Sequence, residues 1–133
     1  MKLALFVLIF FYFGMNWFFK DINKDWINLS EPEQLSELIM ESNSTPIIIY
    51  KHSSRCGLSF MTEKKLEEGW ELLQPKVKLY FLDLIRYRNM SSMVAEKFNI
   101  RHQSPQILII KNGICVYSTS HYDINVETIL KNI

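Results

Sequence analysis

The stretch Lys51-His52-Ser53-Ser54-Arg55-Cys56-Gly57-Leu58-Ser59, KHSSRCGLS, lies between an apolar run, Ile47-Ile48-Ile49-Tyr50, and a charged segment with helical spacing. Cys56 therefore falls where a strand gives way to a helix. A thiol attacks as its thiolate, and free cysteine has a pKa of about 8.5 that a helix N-terminus or a nearby cation lowers. Unpaired backbone N–H groups and the positive end of the helix dipole would face the sulfur. Lys51, His52 and Arg55 stand close by in the chain and are read as thiolate-stabilising cations. Ser59 holds the place that a second thiol would take in a Cys-x-x-Cys pair. Serine cannot resolve a mixed disulfide, so such a site stops at that stage and waits for an external thiol.

The pattern on either side alternates strand and helix. Asp25 to Leu29 alternates polar and apolar, as a short strand does. Ser30-Glu31-Pro32-Glu33 reads as a capping box with a first-turn proline, followed by the helical face Leu35, Leu38 and Ile39. Asn43 to Pro46 ends that helix, and Ile47 to Lys51 is a buried strand. From Cys56 a helix carries Leu58, Met61, Leu66, Trp70 and Leu73 on one face until Pro75. Val77 to Asp83 is a strand. A helix capped by Asn89 or Ser91 follows, through Met93, Val94 and Phe98. Ile100 to Pro105 is a loop, and Gln106 to Ile110 a strand. Asn112-Gly113 is a hairpin signal that returns the chain through Ile114 to Tyr117. Asn125 to Ile133 closes as a helix. The order β-α-β-α-β-α-β-β-α implies an α/β domain with a mixed sheet: parallel units plus an antiparallel edge.

Composition narrows the chemistry. The chain has 133 residues, 48% of them apolar, and a net charge of +1. That suits one domain with a real core and gives no basic field for nucleic acid. Two cysteines make no disulfide framework, and no His/Cys cluster has zinc spacing, so neither metal nor bound cofactor is expected. Cys115, between Ile114 and Val116 in the hairpin, reads as a packed strand residue. A cysteine phosphatase would need Cys-x5-Arg, and the residue at that spacing is Thr62.

Residues 1–23 form an apolar leader before a domain at 24–133. Leu3 to Phe13 is uninterrupted, and Trp17-Phe18-Phe19 resumes it after Gly14-Met15-Asn16. A membrane anchor needs about 17–25 apolar residues, which Leu3 to Phe19 just reaches. A cleaved signal would need small residues at its cleavage site, which the stretch lacks. A start at Met15 would make most of the leader an artefact of the upstream methionine. The three readings stay open.

Ser104-Pro105 precedes the hairpin strand. In this order of elements that loop returns beside the start of the Cys56 helix. A cis X-Pro bond is expected there, presenting the Ser104 backbone to a bound thiol compound.

Three stretches together, Lys51–Ser59, Arg101–Gln106 (RHQSPQ) and Lys111–Ile124 (KNGICVYSTSHYDI), resemble the thioredoxin superfamily. More closely they resemble the bacillithiol-system redox-active proteins of the YtxJ type, the monothiol bacilliredoxins. The resemblance runs from about Trp26 to the C-terminus. It implies a thioredoxin-like fold, Cys56 as nucleophile, Ser59 in place of the resolving cysteine and Pro105 as the cis-proline. It also implies bacillithiol as co-substrate and bacillithiolated proteins as partners, in the cytoplasm. The leader departs from the family's soluble pattern and keeps a membrane-anchored form in view.

The expected reaction is removal of bacillithiol from protein mixed disulfides. Bacillithiol carries malate carboxylates, so Arg55 and Arg101 are candidates to contact it, arginine being suited to bidentate carboxylate pairing. His52 and His121 could serve structure as readily as chemistry. Two further readings are an envelope oxidoreductase tethered by Leu3–Phe19 and a non-catalytic binding module using the groove beside Pro105.

Overall fold

The strand Ile47–His52 (β2) is buried along its whole length, which explains why it reads as a continuous apolar run rather than an alternating one. It pairs in parallel with β3 (Lys78–Asp83) on one side and antiparallel with β4 (Gln106–Lys111) on the other. β1 (Ile27–Asn28) extends the sheet beyond β3, and β5 (Ile114–Ser120) extends it beyond β4, giving the order β1-β3-β2-β4-β5. The computed structural model describes residues 24–133. The leader at 1–23, with its three readings, lies outside the described residues. Among the described residues no helix is long and apolar enough to cross a membrane.

Helices cover both faces. α1 (Pro32–Glu41) and α4 (Arg88–Phe98) place Leu35, Leu38, Met90 and Val94 against Ile47, Ile49, Leu82, Leu108 and Ile110. α2 (Gly57–Glu68), α3 (Trp70–Leu73) and α5 (Val126–Lys131) place Leu66, Trp70, Leu73 and Ile129 against Ile48, Tyr50, Leu79, Ile107 and Ile109. Successive strand residues point to opposite faces, so β2 feeds both cores.

The element order is the expected one, with local corrections. The first strand shrinks to two paired residues. The cap of α1 shifts by one residue: Gln34 Oε1 accepts from the N–H groups of Ser30 and Glu31 at 2.8 and 2.9 Å. The expected long helix from Cys56 breaks at Gly69, where a Cβ would lie 2.4 Å from Val126 Cγ2. Met61, expected on the buried face, is 57% exposed, because α2 turns Ser59, Thr62 and Leu66 to the interior instead. Asn89 and Ser91 lie inside α4 and do not cap it. Upstream of that helix, Asp83 Oδ1 accepts from Ile85 N and Arg86 N at 3.2 and 3.3 Å. The Asn112-Gly113 hairpin forms as expected, with both residues at positive φ (52° and 76°). Its turn is tied to the end of α1 by Gly113 N–H donating to Ser42 Oγ at 2.8 Å.

Candidate active site

The carboxyl ends of β2 and β3 and the start of β4 meet at one end of the sheet. After His52 the chain turns through Ser53–Arg55, closed by Cys56 N–H donating to Ser53 O at 3.1 Å. Cys56 is the N-cap of α2, in extended conformation and partly exposed. The Ser59 N–H is the main group holding its thiol below the usual value. The Leu58 N–H and the Ser59 hydroxyl act in the same direction, and slight burial opposes them. The helix-start explanation for a thiolate therefore stands on named donors.

The flanking cations play another part. Lys51 is fully buried and points to the face away from α2, where its Nζ donates to Ser91 O at 3.3 Å and contacts His102 Nδ1 at 3.2 Å. Strand alternation sends it away from the sulfur, which corrects its expected role. His52 does point toward α2, but burial lowers its pKa, with Glu63 and Asp83 opposing. It is neutral at pH 7 and supplies no cation. Arg55 is exposed beside Cys56 in the turn.

Ser59 is fully buried. Its Oγ accepts from Ser53 N–H at 3.2 Å, and its carbonyl accepts from the Tyr50 hydroxyl at 2.7 Å. Tyrosine has a single O–H hydrogen. With that hydrogen given to Ser59 O, the Tyr50 oxygen accepts from His52 Nδ1–H at 3.0 Å. This fixes the tautomer of His52. Phe60 and Phe81 flank the imidazole, each with centroids 5.1 Å away. Glu63 Oε2 lies 3.7 Å from Nδ1. The serine thus braces the turn that carries the thiol, a role that spacing alone does not reveal. Tyr50 at the end of an all-aliphatic run was the available signal.

The Ser104–Pro105 bond is cis. Buried Gln106 holds the approach to it: Nε2 donates to Arg101 O at 2.9 Å, and Oε1 accepts from Gln103 N–H at 3.4 Å. Pro105 O accepts from His121 N–H at 3.0 Å, which places His121 in a structural turn at φ 56°. Ser104 Oγ is buried and has no hydrogen-bond partner among the described residues. Arg101 is exposed in the same loop but lines a cleft on the side of α4, so the structure does not group it with Arg55 and Cys56 as its expected contact with bacillithiol supposed. Gln106 escaped the sequence reading because a lone polar residue opening QILII looks like a strand edge.

Cys115 lies in β5 with its sulfur against the core shared by α1 and α4. Its thiol donates to Tyr117 O at 3.4 Å, and burial raises its pKa. It is on the opposite face of the sheet from α2, and both cysteines are free.

A sheet of this topology with a low-pKa cysteine capping α2 defines a thiol-disulfide oxidoreductase of the thioredoxin fold. Residues 27–129 match the family described as monothiol bacilliredoxin BrxC, and the chain belongs to that family. A solved structure described as an oxidoreductase with a thioredoxin fold is 28% identical over 86% of this chain and 96% of its own, with a TM-score of 0.71. Thioredoxin from Fasciola hepatica is 21% identical over 79% and 92%, with a TM-score of 0.62. Thioredoxin from Trypanosoma brucei brucei is 16% identical over 73% and 79%, with a TM-score of 0.61. The two thioredoxins bear on the fold alone.

Proposed function

We propose that the protein removes bacillithiol from protein mixed disulfides by monothiol exchange at Cys56. The observation that carries this reading is the pairing of a partly exposed, low-pKa Cys56 with a fully buried Ser59 where a second thiol would stand. Family membership supports it. The Cys56 thiolate attacks the bacillithiol sulfur, and the S–S bond to the target protein breaks. The target leaves as a thiolate and takes a proton from solvent. A bacillithiol thiolate then attacks the bacillithiol sulfur held on Cys56. Bacillithiol disulfide leaves and the Cys56 thiolate is restored, so the second thiol supplies the reducing equivalents. Arg55, adjoining the sulfur, takes the malate carboxylates in this reading. The Ser104–Pro105 segment forms the opposite wall. Cys115 takes no part, being on the other face and raised in pKa.

The test is intact-mass analysis of reduced protein mixed with a bacillithiol-modified model protein, and in parallel with a glutathione-modified one. The expected result is a Cys56 adduct with release of the target thiol, faster from the bacillithiol donor and absent in Cys56→Ser. Equal rates from both donors would remove the bacillithiol preference. No adduct from either would remove the exchange reading.

A further inference from the structure

A cleft of about 730 Å³ opens between α4 and the loop leading to Pro105, on the face of the sheet away from α2. Arg88, Ser91 and Ser92 line it from the helix, and Arg101 and His102 from the loop. Glu96 is the one carboxylate along the wall. Two arginines against one glutamate leave the cleft with an excess of positive charge.

Behind that wall lies the ammonium of Lys51. The residue is 0% exposed, and its Nζ meets Ser91 O and His102 Nδ1, two neutral groups. Among the described residues no carboxylate pairs with it. A buried charge without a counter-charge is costly, and burial brings the Lys51 pKa down to about 8, which still leaves it charged at pH 7. The ammonium has hydrogens only to give, so His102 Nδ1 is the acceptor. The imidazole hydrogen is then on Nε2, the free edge of an exposed ring that lines the cleft. Ser91 Oγ, 3.2 Å from the same Nδ1, adds a hydroxyl beside it.

We propose that this cleft is a binding site for a small dianion carrying carboxylate or phosphate oxygens. Arg88 and Arg101 clamp the anion, His102 Nε2–H donates to it, and Lys51 behind them gains its missing counter-charge. The site stands on the opposite face from Cys56 and does not depend on the exchange reaction.

The full chain is titrated with sodium phosphate and, separately, sodium succinate at constant ionic strength, with chloride as the reference. His102 ring resonances and the thermal midpoint are followed. At least one dianion is expected to give a saturable shift of the His102 resonances and a rise in the midpoint. Whichever saturates at lower concentration identifies the head group. Arg88→Ala and Arg101→Ala each weaken binding about tenfold, as for loss of one charge-assisted hydrogen bond. Lys51→Met abolishes the rise in midpoint. If that variant does not fold, the two exposed arginine variants still decide the matter. Shifts that climb linearly and equally with chloride, or saturable binding unchanged in both arginine variants, would overturn the proposal.

Discussion

Lys51 and His52 are neighbours in β2, yet their side chains leave the sheet on opposite faces, Lys51 toward α4 and His52 toward α2. Both are buried and both have lowered pKa values. Two polar residues at the end of an apolar strand thus serve two separate sites. The division follows from the two-residue period of a strand and needs no other cause.

For Lys51 the consequence is a pH dependence of stability. Its pKa falls from 10.5 to about 8 on folding. Between those values the unfolded chain holds more protons than the folded one, so stability rises with pH across that window. The cost of burying the charge is fully present below about pH 8 and is about 3 kcal/mol at roughly 1.36 kcal/mol per pKa unit. Lys51→Met should flatten the difference between about pH 7.5 and 10 and gain about 1–3 kcal/mol at pH 7. Urea denaturation across that range measures it. Subtracting the variant's curve removes the contributions of the two free thiols, Cys56 and Cys115. A variant less stable than the parent at pH 7, with the same pH slope, would reject this account.

Ser59→Ala separates the donors that lower the Cys56 pKa. The hydroxyl is lost and the backbone N–H groups at positions 59 and 58 remain. The midpoint of the alkylation rate against pH should move upward yet stay below that of a free thiol. The buried Ser53 N–H also loses its acceptor, which costs about 1–3 kcal/mol. An unmoved midpoint would leave the hydroxyl with a structural role only.

Ser59→Cys tests the missing second thiol. The introduced thiol would occupy the buried position one helical turn beyond Cys56. Exposure to a mixed disulfide should then end in an internal disulfide between Cys56 and the introduced thiol, with release of the small thiol. Intact mass reads this as disappearance of the adduct. Persistence of the adduct would show that position 59 is out of reach of the Cys56 sulfur.

Much of this was legible in the residues, for physical reasons. Strand and helix periods and the Asn112-Gly113 turn are local properties, so element order, mixed sheet and hairpin could be read directly. The KHSSRCGLS stretch placed Cys56 at a helix start because the change of period falls there. What escaped depends on which face a side chain takes and what waits on the far side. Lys51 looks like a cation for the thiol until β2 sends it to α4. Ser59 reads as the place of an absent thiol, and its bracing role emerges only where Tyr50 and Ser53 close on it. His102 gave no signal, since its partner Lys51 is remote in sequence. The bend at Gly69 was equally hidden, because the obstacle sits on the last helix.

That obstacle gives the last prediction. Gly69 lies between α2 and α3 at φ −95°, a conformation open to any residue, so its need for glycine is one of space. An added Cβ would meet Val126 Cγ2 at 2.4 Å, Cγ1 at 2.9 Å and Cβ at 3.1 Å. Valine is β-branched and cannot swing aside cheaply. Gly69→Ala should therefore push α5 away from the α2–α3 bend and cost about 1–3 kcal/mol, as overpacking does. Val126→Ala removes two of the three close atoms at the expense of its own packing. The double variant should be more stable than the sum of the single losses requires, because the clash is shared. Denaturation of the four proteins completes the cycle. Strict additivity would mean that Gly69 is required for some reason other than Val126.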